Sequence, residues 1–312
     1  MKRILLLLFC FCLIFPGVLA EEGPRYQQVF DPTEDAGALT VRYVWLGPQV
    51  AKDKPGDCMI LTSPDGKIMV LDAGHPLATD YVIAALDAMG ITRIDYLVAS
   101  HPHIDHIGGF PALIDRYEIG AVYTSPLTYE TSSYYQAYLK ALQARGIEHI
   151  VLAEGDTLAF GDQVHIDVMN PPAVIAYPED YPEGGTQFIN NHSLVLKFTY
   201  GTSTLMFAGD LYTGGEREVV SRWGDALDCD VLKANHHGAS TSSSAGWRKA
   251  VSPQITVITS DTMEDLNIAR KYTRNGQQMY HILLDGCIRL RTTGQGDYTV
   301  LTEKDRTTEL FD

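Results

Sequence analysis

Ser100-His101-Pro102-His103-Ile104-Asp105-His106-Ile107-Gly108-Gly109 sets three histidines and a carboxylate side by side, directly after the strand-like run Ile94-Asp95-Tyr96-Leu97-Val98-Ala99. Imidazole nitrogen and carboxylate oxygen are the donors that suit zinc, manganese or iron, and an open loop at a strand's end lets several side chains converge without bending a helix. His101 and His103, two apart, face one way while Asp105 and His106 face another, a pattern better suited to two adjacent ions than to one. A solvated polar loop is the alternative, and neither chance nor core packing produces this spacing often.

Working outward, the flanking chain alternates short apolar runs with turns. Strands are expected over Val41–Leu46, Cys58–Thr62 and Ile68–Leu71, the last two joined by the turn Ser63-Pro64-Asp65-Gly66-Lys67, with Asp72-Ala73-Gly74 at the exit. Apolar residues at Val82, Ile83, Leu86 and Met89 followed by Gly90 predict a helix, as does Ser132–Arg145 closed by Gly146. Residues 147–169 read as three short strands, and 170–191 as a Pro-, Gly- and Tyr-rich loop too long for a plain connector. A hairpin over Leu194–Phe198 and Thr204–Ala208 ends at Gly209-Asp210. A strand over Asp230–Ala234 delivers Asn235-His236-His237-Gly238. Strands are expected again at Ile255–Thr259, Met279–Leu284, Cys287–Arg291 and Tyr298–Leu301, with helices between, which predicts two sheets face to face with helices outside.

The start of the chain reads as an address. Lys2 and Arg3 precede an almost unbroken apolar run from Ile4 to Phe15, then small residues at Val18 and Ala20 before Glu21-Glu22, the pattern of a cleavable secretory leader over 1–20. The expected product is a secreted protein with no stable membrane insertion, an irregular arm over 21–39, and one large domain over 40–312. Cys58, Cys229 and Cys287 each lie in apolar, strand-like context, so buried thiols are expected rather than a disulfide framework. The formal charge of −15, from 24 basic and 39 acidic residues, opposes general polyanion binding. A phosphate substrate would have to be gripped by metal ions and a few local donors.

Four strand exits therefore carry candidate ligands: Asp72; His101, His103, Asp105 and His106; Asp210; and the pair His236 and His237. Together with Leu71-Asp72-Ala73-Gly74, Asn190-Asn191-His192-Ser193-Leu194-Val195-Leu196 and Val231-Leu232-Lys233-Ala234-Asn235-His236-His237-Gly238, they make the chain resemble the metallo-β-lactamase superfamily. Within it, the nearest resemblance is to the hydrolase domain of ComEC-type DNA-uptake proteins, over about residues 41–260. The resemblance implies an α/β, four-layer αββα sandwich with one or two divalent ions, zinc ahead of manganese. His101, His103 and Asp210 would hold the first ion, and Asp105, His106, Asp210 and one of His236 or His237 the second. Asp72 would orient a ligand histidine from behind. The implied reaction is phosphodiester cleavage by a hydroxide held between the ions, with the free member of the 236–237 pair binding a phosphate oxygen or protonating the leaving group.

Three departures qualify that picture. The third histidine of the first ion is absent, with glycine at 185, leaving Asn191 or His192 as substitutes or water in its place. A compact Gly-Gln-Gly-Asp turn is split here into Gly47 and Gly56-Asp57, with Pro48 to Pro55 between. No late Asn-x-Tyr-Gly-His-Pro element follows Ser260, and His281, in an apolar run, reads as a core residue. The substrate is expected to be a phosphoester, either nucleic acid or a cell-wall polymer. Tyr177 and Tyr181, with Glu179, Asp180 and Glu183, form either a solvated acidic rim or an aromatic and acidic cluster of the kind that holds a quaternary ammonium, which makes a phosphorylcholine esterase the competing enzyme. Ser240 to Ser244 offers donors for an anion or forms a solvated turn. From another class, a binding protein that keeps the fold without turnover is the alternative.

Overall fold

In the computed structural model, the described residues are 23, 25–47, 56–181, 185–263, 266–306 and 311. The leader and the segment Pro48 to Pro55 lie outside them. The chain folds as the expected αββα sandwich. Strands β1 (Leu39–Tyr43), β2 (Met59–Thr62), β3 (Ile68–Leu71), β4 (Arg93–Ala99), β5 (Glu118–Thr124) and β6 (Glu148–Val151) build one sheet in sequence order. The second sheet holds β7 (Thr157–Phe160), β8 (Val164–Asn170), β9 (Val195–Tyr200), β10 (Ser203–Phe207), β11 (Val231–Lys233), β12 (Ile255–Ile258) and β13 (Gln278–His281). The chain then returns to the first sheet, where β14 (Ile288–Thr292) pairs with β1 and β15 (Thr299–Thr302) forms the edge.

The apolar runs are unbroken because most strands are covered on both faces. In β10, Leu205 and Phe207 point between the sheets, where they meet Val41, Leu61, Met69 and Val98 of the opposite sheet. Met206, one residue out of phase, points outward to Val219 and Trp247. These two belong to the helices Thr213–Trp223 and Ala245–Val251. On the other outer face, Val82 and Leu86 of Thr79–Ala88, Phe110 and Leu113 of Phe110–Arg116, and Tyr138 and Leu142 of Ser133–Arg145 cover Ile60, Val70, Leu97 and Val122. Three apolar layers result, and burying each such large side chain contributes about 1.5–3 kcal/mol.

Residues 25–39, expected to be irregular, carry a short helix, Tyr26–Phe30, whose Val29 and Phe30 join the outer core. Arg42, wholly buried in β1, anchors the segment. Its Nε donates to the Val29 carbonyl at 2.8 Å, and its guanidinium pairs with Asp35 at 2.8 Å. The strand expected over Met279–Leu284 ends at His281, and Ile282–Asp285 turns as a helix. His281 is a core residue, as expected: it is buried and its Nδ1 accepts from the Leu283 amide. Cys58, Cys229 and Cys287 are buried free thiols.

Strand direction places the site. β3, β4, β5 and β6 run parallel, as do β10, β11, β12 and β13. Their carboxyl ends open at one edge of the sandwich, where ligands bind in open α/β sheets. β2 is antiparallel to β3, so its start, at Asp57 and Cys58, reaches the same edge.

Candidate metal centre

Asp72, the first residue after β3, takes a left-handed backbone (φ 59°) that turns its carboxylate back under the histidine loop. Its Oδ1 accepts the Ser100 amide at 2.8 Å, and its Oδ2 accepts the Ser100 hydroxyl at 2.7 Å and faces His106 Nδ1 at 2.9 Å. Burial raises the Asp72 pKa, against the pull of the adjacent imidazole. The carboxylate fixes the His106 ring from behind and leaves Nε2 pointing into the site, 3.3 Å from Asp210 Oδ2 and 3.8 Å from Asp105 Oδ2.

His237 mirrors this arrangement from the second sheet. Its Nδ1 lies 2.9 Å from Asp57 Oδ1, and its Nε2 lies 3.3 Å from Asp210 Oδ2 and 3.7 Å from Asp105 Oδ2. His236 and His237 both adopt positive φ (46° and 52°), a conformation residues with a Cβ rarely take, so the turn is held by its surroundings. It separates the two rings. His237 is buried, whereas His236 stands partly exposed at the mouth, with Nε2 3.8 Å from Asp210 Oδ2 and Nδ1 bonded to the Thr241 hydroxyl.

Asp57 and Lys233 are the parts that sequence reasoning did not assign to the site. Lys233 is fully buried; it is ion-paired to Asp57, donates to the Gly209 carbonyl at 3.2 Å and lies 3.9 Å from Asp210. The signal was present, since a lysine inside Val231-Leu232-Lys233-Ala234 has no place in an apolar strand without a buried counter-charge. Gly56 brings Asp57 in. It has φ +88°, and a Cβ there would lie 1.6 Å from the Asp105 carbonyl, so only glycine allows this approach to the histidine loop.

The charges balance locally. Burial works against ionised Asp57 and Asp210, but imidazoles, and for Asp57 also Lys233, overcome it and hold both below the usual carboxylate range. Burial likewise disfavours charge on His106 and His237. Asp210 with Asp72, and Asp210 with Asp57, outweigh it and lift both well above the ordinary histidine value. His101 and His103 are pushed down, by burial first, which favours the neutral imidazoles. His101 Nε2 and His103 Nδ1 stand 2.9 Å apart, with Asp210 Oδ2 3.9 Å from His101 Nε2.

The residues fit a divalent cation. His106 Nε2, His237 Nε2 and Asp210 Oδ1 are all buried without a hydrogen-bond partner among the described residues. Donor atoms of Asp57, His106, Asp210 and His237 lie within 4.8 Å of one another. Of that group Asp57 already serves His237 and Lys233, which leaves Asp105 as the better-placed carboxylate. Orphaned donors of this kind cost stability unless a cation binds them.

The metallo-β-lactamase superfamily model matches residues 51–259. The chain belongs to the metallo-β-lactamase superfamily. It is 29% identical over 203 residues to competence protein ComA of Neisseria gonorrhoeae, covering 64% of this chain and 25% of that protein. It is 25% identical over 257 residues to ComE operon protein 3 of Bacillus subtilis, covering 77% of this chain and 31% of the other. The chain thus spans a quarter to a third of these relatives. Among solved structures, a CmlA β-hydroxylase mutant has a TM-score of 0.50 at 14% identity, covering 81% of this chain and 53% of that one, a likeness of fold alone.

Within this superfamily member, His101, His103, Asp105, His106, Asp210, His236 and His237 come together, with Asp72 behind His106. Asn191 and His192 are not brought to the cluster as substitutes for the missing histidine. Asn191 Oδ1 accepts the Gly215 amide at 3.0 Å, and His192 Nδ1 lies 2.7 Å from the Phe188 carbonyl with its ring 4.2 Å from that of Phe188. The donors of the serine run are largely spent internally. Ser242 Oγ donates to the Leu211 carbonyl, the Ser243 and Ser244 amides donate to Glu216, and Ser240 is exposed. Tyr177 and Tyr181 line a cavity of about 340 Å³ with Thr128, Glu130 and Thr131. Both tyrosine hydroxyls bond to Thr128, and Tyr129 links the cluster to His103 at a ring separation of 6.3 Å.

Proposed function

We propose that the protein is a metal-dependent hydrolase that cleaves phosphodiesters. The observation that carries this is the convergence of His106 Nε2 and His237 Nε2 on Asp210 Oδ2, both at 3.3 Å, in a relative of competence proteins. His106, His237, Asp105 and Asp210 would hold one ion, and His101, His103 and Asp210 would contribute to a second, zinc or manganese. Bound there, such ions supply Lewis acidity and lower the pKa of an attacking water.

The chain's own residues do the rest. Asp72 and Asp57 fix the His106 and His237 rings so that both Nε2 atoms face inward. Asp105, the more exposed of the cluster carboxylates, would accept a proton from water. His236, seated on Thr241 at the rim, would bind a phosphate oxygen or protonate the leaving group. The acidic surface supports a short local grip on the diester rather than a long polyanion track. The tyrosine-lined cavity, with Glu130 in its wall and Tyr129 between it and His103, favours a phosphorylcholine diester as the second reading. The Ile4–Phe15 run with Val18 and Ala20 supports export, and an intact-mass measurement of secreted protein starting at Glu21 tests it.

Turnover of single-stranded DNA, a phosphorylcholine ester and a lactam by the metal-loaded protein and by Asp210→Ala tests the main reading. Diester cleavage that disappears in the variant supports it, and lactam cleavage without diester cleavage overturns it.

A further inference from the structure

The His101 and His103 half of the centre lacks a third imidazole, and Gly185 stands where it is expected. What the fold delivers instead is Asn190, in the last turn of the helix Thr186–Asn191. Asn190 is 1% exposed, and its Oδ1 is buried with no hydrogen-bond partner among the described residues. Its side chain reaches the His103 ring on one side and the Tyr212 hydroxyl on the other. Its sequence neighbours are turned away, Asn191 to the Gly215 amide and His192 to the Phe188 carbonyl. Neither the His103 ring nor the Tyr212 hydroxyl gives the buried Oδ1 an aligned donor, which costs stability, and such a group persists where a ligand satisfies it.

We infer that Asn190 Oδ1 is the protein ligand that completes the first metal position beside His101, His103 and Asp210. The inference rests on the metal-centre reading and deepens it. Replacing an imidazole by a carbonyl oxygen makes the position harder, so it discriminates less strongly in favour of zinc and suits Mn2+ better than a three-histidine site does. Both positions then offer two imidazoles and two oxygens, and they differ in charge: the first has the neutral Asn190 amide where the second has the Asp105 carboxylate.

Equilibrium dialysis against Mn2+ with elemental analysis reads this directly. Wild type should take up two equivalents of Mn2+ and Asn190→Ala one. Asn190→His should raise zinc affinity at the weaker position about tenfold or more, by restoring the softer ligand. Metal-free Asn190→Ala should unfold at the same or a higher denaturant midpoint than wild type, since it removes an unpaired buried amide, whereas a purely structural asparagine would lower it. Should that variant fail to fold, Asn190→Asp should tighten the second Mn2+ equivalent by roughly tenfold through its added charge. Two equivalents of unchanged affinity in Asn190→Ala, unchanged affinity in Asn190→Asp, or a single equivalent in wild type overturns the inference alone. Wild type that binds no divalent ion overturns the metal-centre reading with it.

Discussion

Asp57→Asn probes the part of the site that lies deepest. Asp57 and Lys233 are both fully buried, and Asp57 also holds His237 Nδ1 at 2.9 Å. The substitution keeps shape but removes the counter-charge, leaving the Lys233 ammonium with the Gly209 carbonyl at 3.2 Å and Asp210 at 3.9 Å. Breaking a buried pair from one side costs about 3–5 kcal/mol, a large share of the roughly 5–15 kcal/mol that holds a domain folded. Loss of the carboxylate behind His237 should also weaken metal binding about 10–100-fold. The two effects separate in the double variant Asp57→Asn with Lys233→Met, which removes both charges. It should recover most of the stability but none of the metal affinity. Urea unfolding of metal-free protein and competition with a chromophoric chelator read them independently. If Asp57→Asn stays within about 0.5 kcal/mol of wild type, or the double variant is less stable than the single one, the buried-pair argument is refuted.

Three further predictions concern other positions. Asp72→Ala should lower metal affinity about 10–100-fold by freeing the His106 ring, read by the same competition assay. His281, held down to about 4 by burial and then by Arg306, has a folded pKa below its unfolded value. Its contribution to stability is therefore full above about pH 6.5 and lost as pH falls toward 4, roughly 3 kcal/mol at most. His281→Asn, which keeps an acceptor for the Leu283 amide, should flatten the unfolding free energy over that window relative to wild type. Cys58, Cys229 and Cys287 are buried, and burial raises all three thiol pKa values. A thiol reagent should label none of them at neutral pH until the protein is unfolded, and all three afterwards.

The layers were legible because the strands are apolar on both faces and the helices carry their own stops. Ser132 caps Ser133–Arg145 through its hydroxyl, and Gly146 ends that helix in the left-handed region. The histidine loop, Asp210 and His236-His237 were legible because polar residues at strand ends have nowhere to point but the sheet edge. What stayed hidden depends on contacts distant in the chain. Asp57 meets Lys233 and His237 across nearly two hundred residues, and no local pattern announces that meeting. Asn190 sits in a helix too short for periodicity to show. Ile282-Leu283-Leu284 is apolar enough for either strand or helix, and the His281 cap with Gly286 at φ 68° decides for the helix.

The central claim is that divalent ions at Asp210 make this chain a hydrolase, and chelation tests it most directly. Cleavage of bis(p-nitrophenyl) phosphate should cease when the purified protein is stripped of metal and return with added Zn2+ or Mn2+, while Asp210→Ala stays inactive with either ion. Equal turnover by the stripped protein, or by the metal-treated Asp210→Ala variant, would contradict the account.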